Sequence, residues 1–352
     1  MFVSGIGTAT PERRYSKAEC WEALSNSVWY ERLNDRGRFI LDTVLHQNNG
    51  IANRHFALEC LDDVMDIDPD TLHNRFRTHA PTLAGNAGSS ALAQACLLAT
   101  DIDAVVVSTC TGYLCPALSS YVIEQLGLRP NVRAYDLVGQ GCAAALPNWQ
   151  MCQALLASGQ CRHVLSICVE VCSAAMYLDN DPGVLISACL FGDGAGAAVL
   201  SSEPALHMRR VEWMHSGSLI NTSEREALMF EQRQGMLRNI LTRRVPWLAA
   251  QYARQVLDDV LQRSGLGQDD ISAWIMHAGG RDVLLALQQE LGVGAQDFRY
   301  SAAMLRDYGN LSSAFVYFVL QAALNDEAEG GWWWMSSFGA GFSCHGALLR
   351  VN

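Results

Sequence analysis

Short apolar runs alternate with longer segments of helical spacing along this chain. AVVVST (Ala104–Thr109), HVLSICVEV (His163–Val171), GAAVLSS (Gly196–Ser202), AWIMHAGG (Ala273–Gly280) and GWWWMSSFG (Gly331–Gly339) are short, and most are rich in β-branched or aromatic residues. They predict strands buried on both faces. Between them, LSSYVIEQLGL, ALPNWQMCQALLASG, VPWLAAQYARQVLDDVLQRSGL and SSAFVYFVLQAALNDEA repeat apolar residues at helical intervals. Strands alternating with helices predict an α/β fold. A polar, irregular stretch, Ser201–Gly235, separates two such blocks, and the boundary is placed near residue 203, giving halves 1–203 and 204–352. Each half closes on a glycine-bearing strand hairpin, FGDGAGAAVL and SFGAGFSCHGALL, an echo that predicts a duplicated βαβ architecture.

Composition narrows the partners. The 352 residues are 50% hydrophobic and carry a formal charge of −11, with the basic residues scattered, so no cationic stripe offers a nucleic acid its backbone contacts. The only lysine, Lys17, lies in the polar context PERRYSKAEC, which sets aside Schiff-base chemistry. No window of 18 uncharged apolar residues exists, and the first residues lack the pattern of a signal peptide, so a cytoplasmic protein without a membrane span is expected. There the 12 cysteines are thiols, and their spacing matches neither a disulfide framework nor paired zinc ligands. Cys168 and Cys172, four apart, would share a helical face, but buried filler is the favoured reading and no metal is expected.

The candidate chemistry begins at VGQGCAAAL (Val138–Leu146). A strand ending near Val138, a Gly-x-Gly turn and a helix starting around Cys142 would set the thiol at a helix N-terminus, where unpaired N–H groups favour the thiolate. Glycines on one side and alanines on the other leave room for a bulky thioester. Such a nucleophile needs a base and a place for negative charge. His277 ends an apolar strand just before Gly279 and Gly280, and Asn310 sits in a Gly-Asn turn that opens a helix. Each also has an ordinary reading, as a packed thiol, a strand-end histidine and a helix cap. Strand ends are where ligand crevices form in α/β sheets, so the three residues can converge there.

Six ordered motifs resemble one family over nearly the whole chain. GTATPERRYS, STCTGYLCPALSSYVIEQLGLRP, DLVGQGCAAALP, CLFGDGAGAAVL, the pair WIMHAGG and LRDYGNLSSA, and SSFGAGFSCHGALL are similar to those of the type III polyketide synthases, the chalcone-synthase-like branch of the thiolase superfamily. In look they are nearest the bacterial alkylresorcinol and alkylpyrone synthases. The resemblance implies a duplicated, five-layered αβαβα thiolase fold and a homodimer. It implies Cys142 as the acylated nucleophile, His277 and Asn310 as catalytic partners, and Phe191 as gatekeeper. Gly279, Gly280, Gly339 and Cys115 are the further residues expected at the substrate cavity. Its chemistry would be iterative decarboxylative condensation of malonyl-CoA onto an acyl, expectedly fatty acyl, starter on Cys142, with His277 as imidazolium beside the thiolate. Cyclisation to an alkylresorcinol or alkylpyrone would follow. No cofactor is implied beyond the thioester substrates, with the starter arriving on CoA, an acyl carrier protein or a fatty acid synthase.

Some positions depart from that pattern. LDTVLHQNNGIANRHF, where plant members carry Lys and Arg for the CoA phosphates, has only Arg54. A second gatekeeper phenylalanine is replaced by Asn239, and a glutamate by His345. Trp332 and Met335 are further places to look for pocket lining, with core packing the simpler role. The alternatives are a condensing enzyme like ketoacyl-carrier-protein synthase III, a cysteine thioester hydrolase using Cys142 and His277, and a non-catalytic subunit.

Overall fold

The computed structural model describes all 352 residues. The first third contains strands β1 (Phe2–Ala9), β2 (Arg14–Ser16), β3 (Asn53–His55) and β4 (Ala104–Thr109), with helices α1 (Lys17–Ser25), α2 (Val28–Arg32), α3 (Asp35–His46) and α4 (Pro69–Ala95). Next come α5 (Leu118–Leu126), β5 (Arg133–Val138), α6 (Ala145–Ala157), β6 (His163–Glu170), α7 (Pro182–Leu190), β7 (Gly194–Ser201), β8 (Val211–Ile220), β9 (Leu228–Arg233) and β10 (Met236–Leu241). The chain ends with α8 (Val245–Ser264), β11 (Ile271–Met276), α9 (Arg281–Leu291), α10 (Arg299–Tyr308), α11 (Phe315–Asn325), β12 (Gly331–Gly339) and β13 (Ser343–Val351).

Nine strands form one sheet in the order β11-β12-β13-β8-β1-β7-β6-β4-β5. Its two parts meet at a single pairing, Phe2 with Glu212. On the N-terminal side β7 runs antiparallel to β1 and β6, and β4 runs parallel to β6. On the C-terminal side β13 runs antiparallel to β8 and β12, and β11 runs parallel to β12. The same strand directions therefore occur twice. Helix α4 covers β1, β7 and β6 from outside, α8 covers β8 and β13, and α6 and α11 lie between the two halves, giving alternating α and β layers. The residues of α11 explain that place: Phe315, Val316, Tyr317, Phe318, Val319 and Leu320 are consecutive and all buried, so no face is left for water.

Two of the expected strands, at 104–109 and 331–339, coincide with β4 and β12. Those at 163–171 and 196–202 shift by a residue or two, whereas the one expected at 273–280 spans 271–276, so His277 lies just past the strand. FGDGAGAAVL is not a hairpin. Only Gly194–Ser201 is a strand, paired with β1 and β6, whereas SFGAGFSCHGALL does turn back on itself between β12 and β13. The polar stretch taken as irregular contains β8, whose pattern of one buried and one wet face hid it in a charged context. Cys168 lies on β6 and Cys172 in the following 3₁₀ turn, so they share no helical face.

Candidate active site

Helix α6 does not start at Cys142. The thiol sits in a separate 3₁₀ turn, Gly141–Ala143, and the α-helix begins at Ala145 with Pro147 in its first turn, where a missing N–H costs nothing. Gly141 has φ +55, and a side chain there would press Ala340 at 3.2 Å, which explains the glycine before the thiol. Helix α11 has the same design. A 3₁₀ turn, Ser312–Ala314, precedes it, and the two turns touch each other. The N-terminal ends of the two central helices thus meet, bringing Cys142 beside Ser312, whose hydroxyl donates to Sγ at 3.3 Å.

Asn310 is fixed on every side. Its backbone N–H donates to the Leu190 carbonyl at 2.9 Å and its carbonyl accepts from Gly192 N–H at 3.0 Å, which ties it to Phe191. Its Oδ1 accepts from Ser312 N–H at 2.9 Å and its Nδ2 donates to the Gly279 carbonyl at 3.1 Å. One Nδ2 hydrogen is left for the cavity. Asn310 is not the helix N-cap itself, which is Leu311 for the 3₁₀ turn and Ala314 for α11.

His277 is wholly buried and neither ring nitrogen has a protein partner. Phe338 and Phe315 meet its ring edge-on at centroid distances of 4.9 and 5.4 Å. Burial in this aromatic slot pushes its pKa down to about 3, and burial pushes the Cys142 thiol up to about 12 against the opposing Ser312 hydrogen bond. Burial thus weighs against the charged form of each group, and so against the expected thiolate and imidazolium. A neutral imidazole can take the thiol proton as an acyl donor arrives and can offer an N–H afterwards. Alkylation of Cys142 by iodoacetamide, followed by mass spectrometry of its peptide, should accordingly rise about tenfold per pH unit between neutral pH and pH ~9.5, since the thiolate fraction grows throughout that range. A rate already flat at neutral pH would restore the ion pair.

A buried carboxyl lies behind the thiol. Glu170, at the end of β6, accepts from Cys110 N–H at 3.0 Å, Thr111 Oγ1 at 2.9 Å, Ser312 Oγ at 3.4 Å and Ser313 Oγ, and burial raises its pKa. Neither Glu170 nor Ser312 was singled out from sequence, although a lone acid at the end of the apolar run HVLSICVEV was a visible signal.

Cys142, His277, Asn310, Phe191, Gly279 and Gly280 line one cavity that opens to solvent. A second, apolar cavity also borders Cys142 and Phe191 and is walled by Phe56, Cys172, Met176, Val184, Phe230 and Asn239 among others. Gly339 lines neither cavity. It packs against the nucleophile turn, where a side chain would meet Ala143 N at 2.5 Å, and its neighbour Ala340 reaches the cavity instead. Cys115 is exposed and lines neither cavity. Met335 is core and Trp332 packs at its edge. Arg54 is not a phosphate ligand: it is buried, donates to the Ala188 and Phe191 carbonyls at 2.6 and 3.3 Å, and so holds Phe191 in place. Arg243 and Arg281, both exposed, line the open cavity, and neither was singled out from sequence. No group of side chains could hold a metal ion, and no helix is long and apolar enough to cross a membrane.

Comparison with known proteins agrees with this geometry. Residues 8–222 match the sequence profile of the FAE1/type III polyketide synthase-like proteins, and residues 222–351 that of the chalcone and stilbene synthase C-terminal domain. A 1,3,6,8-tetrahydroxynaphthalene synthase from Streptomyces peucetius subsp. caesius is 30% identical, with 99% of this chain and 92% of that protein aligned. A 3,5-dihydroxyphenylacetyl-CoA synthase from Amycolatopsis orientalis is 29% identical over the same shares. The crystal structure of PKS-I from the brown alga Ectocarpus siliculosus superposes with a TM-score of 0.90 at 25% identity, covering 99% of this chain and 98% of that one. Two helix-end turns meeting at a cysteine, on a doubled α/β sheet and within a sequence matched from residue 8 to residue 351, place this chain among the type III polyketide synthases, acyltransferases of thiolase-like fold that build polyketides by decarboxylative condensation.

Proposed function

We propose that this enzyme loads a fatty acyl starter onto Cys142, extends it repeatedly with malonyl-CoA and closes the product to an alkylpyrone or alkylresorcinol. The observation that carries this reading is the apolar cavity behind Cys142. A further, almost wholly apolar cavity shares its walls Phe56, Met176 and Ala188 and continues past Leu24, Leu45, Val64 and Leu178. An alkyl tail at the thioester meets apolar side chains in this region, and its burial there would favour long starters by roughly 0.8 kcal/mol per methylene.

In this reading the starter thioester enters by the open cavity, and His277 accepts the Cys142 proton as the acyl group transfers. Malonyl thioester then binds with its carbonyl oxygen toward His277 N–H and Asn310 Nδ2, so that loss of CO₂ develops enolate charge against two fixed donors. Phe191, shared by both cavities, gives the carboxylate an apolar wall that favours neutral CO₂. The enolate carbon attacks the Cys142 acyl carbonyl, the C–S bond breaks and Cys142 leaves as thiolate. The chain, two carbons longer and now a β-ketoacyl-CoA, is transferred back to Cys142 with release of CoA before the next round. Arg243 and Arg281 at the mouth suit the phosphates of CoA or of a carrier's phosphopantetheine arm. Starter donors are acyl-CoA, an acyl carrier protein or a fatty acid synthase, and the working assembly is a cytoplasmic homodimer. Exposed Val138 and Tyr113, close in sequence to the nucleophile turn and to Cys115, fit a buried dimer face.

Purified enzyme given malonyl-CoA and starters from acetyl-CoA to palmitoyl-CoA tests this by product mass spectrometry. Turnover should rise with chain length and products should retain the alkyl tail. Equal use of acetyl-CoA or of malonyl-CoA alone would overturn the starter assignment.

A further inference from the structure

Asn239 lies on β10, opposite Phe230 of β9, and lines the apolar cavity that also holds Cys142. Its residue is 8% exposed, its Oδ1 is buried without a hydrogen-bond partner, and its Nδ2 makes no bond to the protein. The serine and threonine hydroxyls of this cavity are committed: Ser187 donates to the Gly183 carbonyl at 2.8 Å, Thr111 to Glu170 at 2.9 Å and Ser312 to Cys142 at 3.3 Å. The preceding residue, Arg238, is held by Asp179 at 2.9 Å and Glu231 at 3.2 Å, and strand alternation sends the Asn239 side chain to the opposite face. Buried amides are almost always bonded, so an unpaired one in a reaction chamber implies a partner that arrives with the substrate.

We propose that Asn239 is a specificity residue that recognises the β-dicarbonyl unit of the elongating chain. An acyl starter brings no polar atom beyond its thioester. After condensation the chain carries a 1,3-dicarbonyl, whose enol form offers an O–H donor and a carbonyl acceptor close together. A carboxamide offers the matching acceptor and donor. The pairing comes into being only after extension, so it acts on later rounds and on the folding that precedes ring closure. This rests on the reading that Cys142 carries the chain, and deepens it by naming the polar intermediate bound.

The test compares wild type with Asn239→Leu and Asn239→Gln. Intact-protein mass spectrometry follows Cys142 acylation, and product mass spectrometry follows chain lengths. In Asn239→Leu the fully extended, cyclised product, measured per acylated Cys142 and relative to the first condensation product, should fall at least about tenfold. Its melting temperature should not fall, since an unpaired buried amide is removed. Asn239→Gln should restore part of the extended product. An unchanged product profile in Asn239→Leu, loading that falls in step with products, or no rescue by Asn239→Gln would each overturn the proposal. A wild-type enzyme that never acylates Cys142 overturns the underlying reading instead, so the two failures are distinguishable.

Discussion

Cys142→Ala should form no acyl-enzyme and lose at least about 10⁴ of product formation, the range seen when a covalent nucleophile is removed. The size follows from the surroundings. Cys110 and Cys172 also line the apolar cavity, but burial lifts both thiols well above the usual range, and neighbouring Glu170 opposes ionisation of each further. Neither stands in the open cavity with His277 and Asn310, whereas Cys142 does. Acyl-enzyme mass after incubation with an acyl-CoA reads the outcome directly. Residual acylation mapped to Cys110 or Cys172 in the variant would move the nucleophile and with it the site. Removing one side chain next to the Ser312 hydroxyl leaves the two 3₁₀ turns in contact through their backbones, so the variant should fold.

The doubled fold explains why such a site exists. Cys142 and Asn310 each lie at the turn leading into one of the two central helices, in halves with matching strand directions. The doubled architecture places two helix N-terminal ends face to face, one carrying Cys142 and the other preceded by Asn310. Helix ends supply unpaired N–H groups, which favour developing negative charge on sulfur or oxygen.

Sequence conveyed this unevenly, for physical reasons. The runs at 104–109 and 331–339 were legible because both faces of those strands are buried, leaving an unbroken apolar signal. The hairpin Leu228–Leu241 was not, since its residues are mostly half-buried and its role is to wall a cavity rather than fill a core. Long α4 was also passed over, because Ala, Gly and Ser dominate the face that lies close against β1 and β7 and leave little hydrophobic contrast. Cys142, His277 and Asn310 were readable as local oddities of turn and strand end. That Ser312 touches the thiol and Glu170 backs it was not, because those contacts join residues far apart in the chain, 170 and 142 positions in the two closest cases. Protonation was not legible either, because a motif gives residue types while burial weighs on their charge.

His277→Ala and Asn310→Asp should separate the two tasks assigned to these side chains. Asn310→Asp keeps the Oδ1 that accepts from Ser312 N–H and replaces the Nδ2 donor by an oxygen, so decarboxylation of malonyl-CoA should fall by about 10²–10³, the cost of one lost donor to a developing oxyanion. Loading of Cys142 should stay within a few-fold, because Asn310 reaches the thiol only through Ser312. His277→Ala removes a donor and the only imidazole in the open cavity, so both reactions should fall together, decarboxylation by a similar factor and loading by about 10²–10⁴. With the base gone, residual loading should climb with pH toward the raised thiol pKa of about 12, whereas the wild-type rate stays level, since its proton moves between two neutral partners. CO₂ release and acyl-enzyme mass, measured on the same preparations, give the two rates. Equal losses in both assays for Asn310→Asp would mean that the carboxamide holds the nucleophile turn in shape, and the division of labour between imidazole and amide would have to be abandoned.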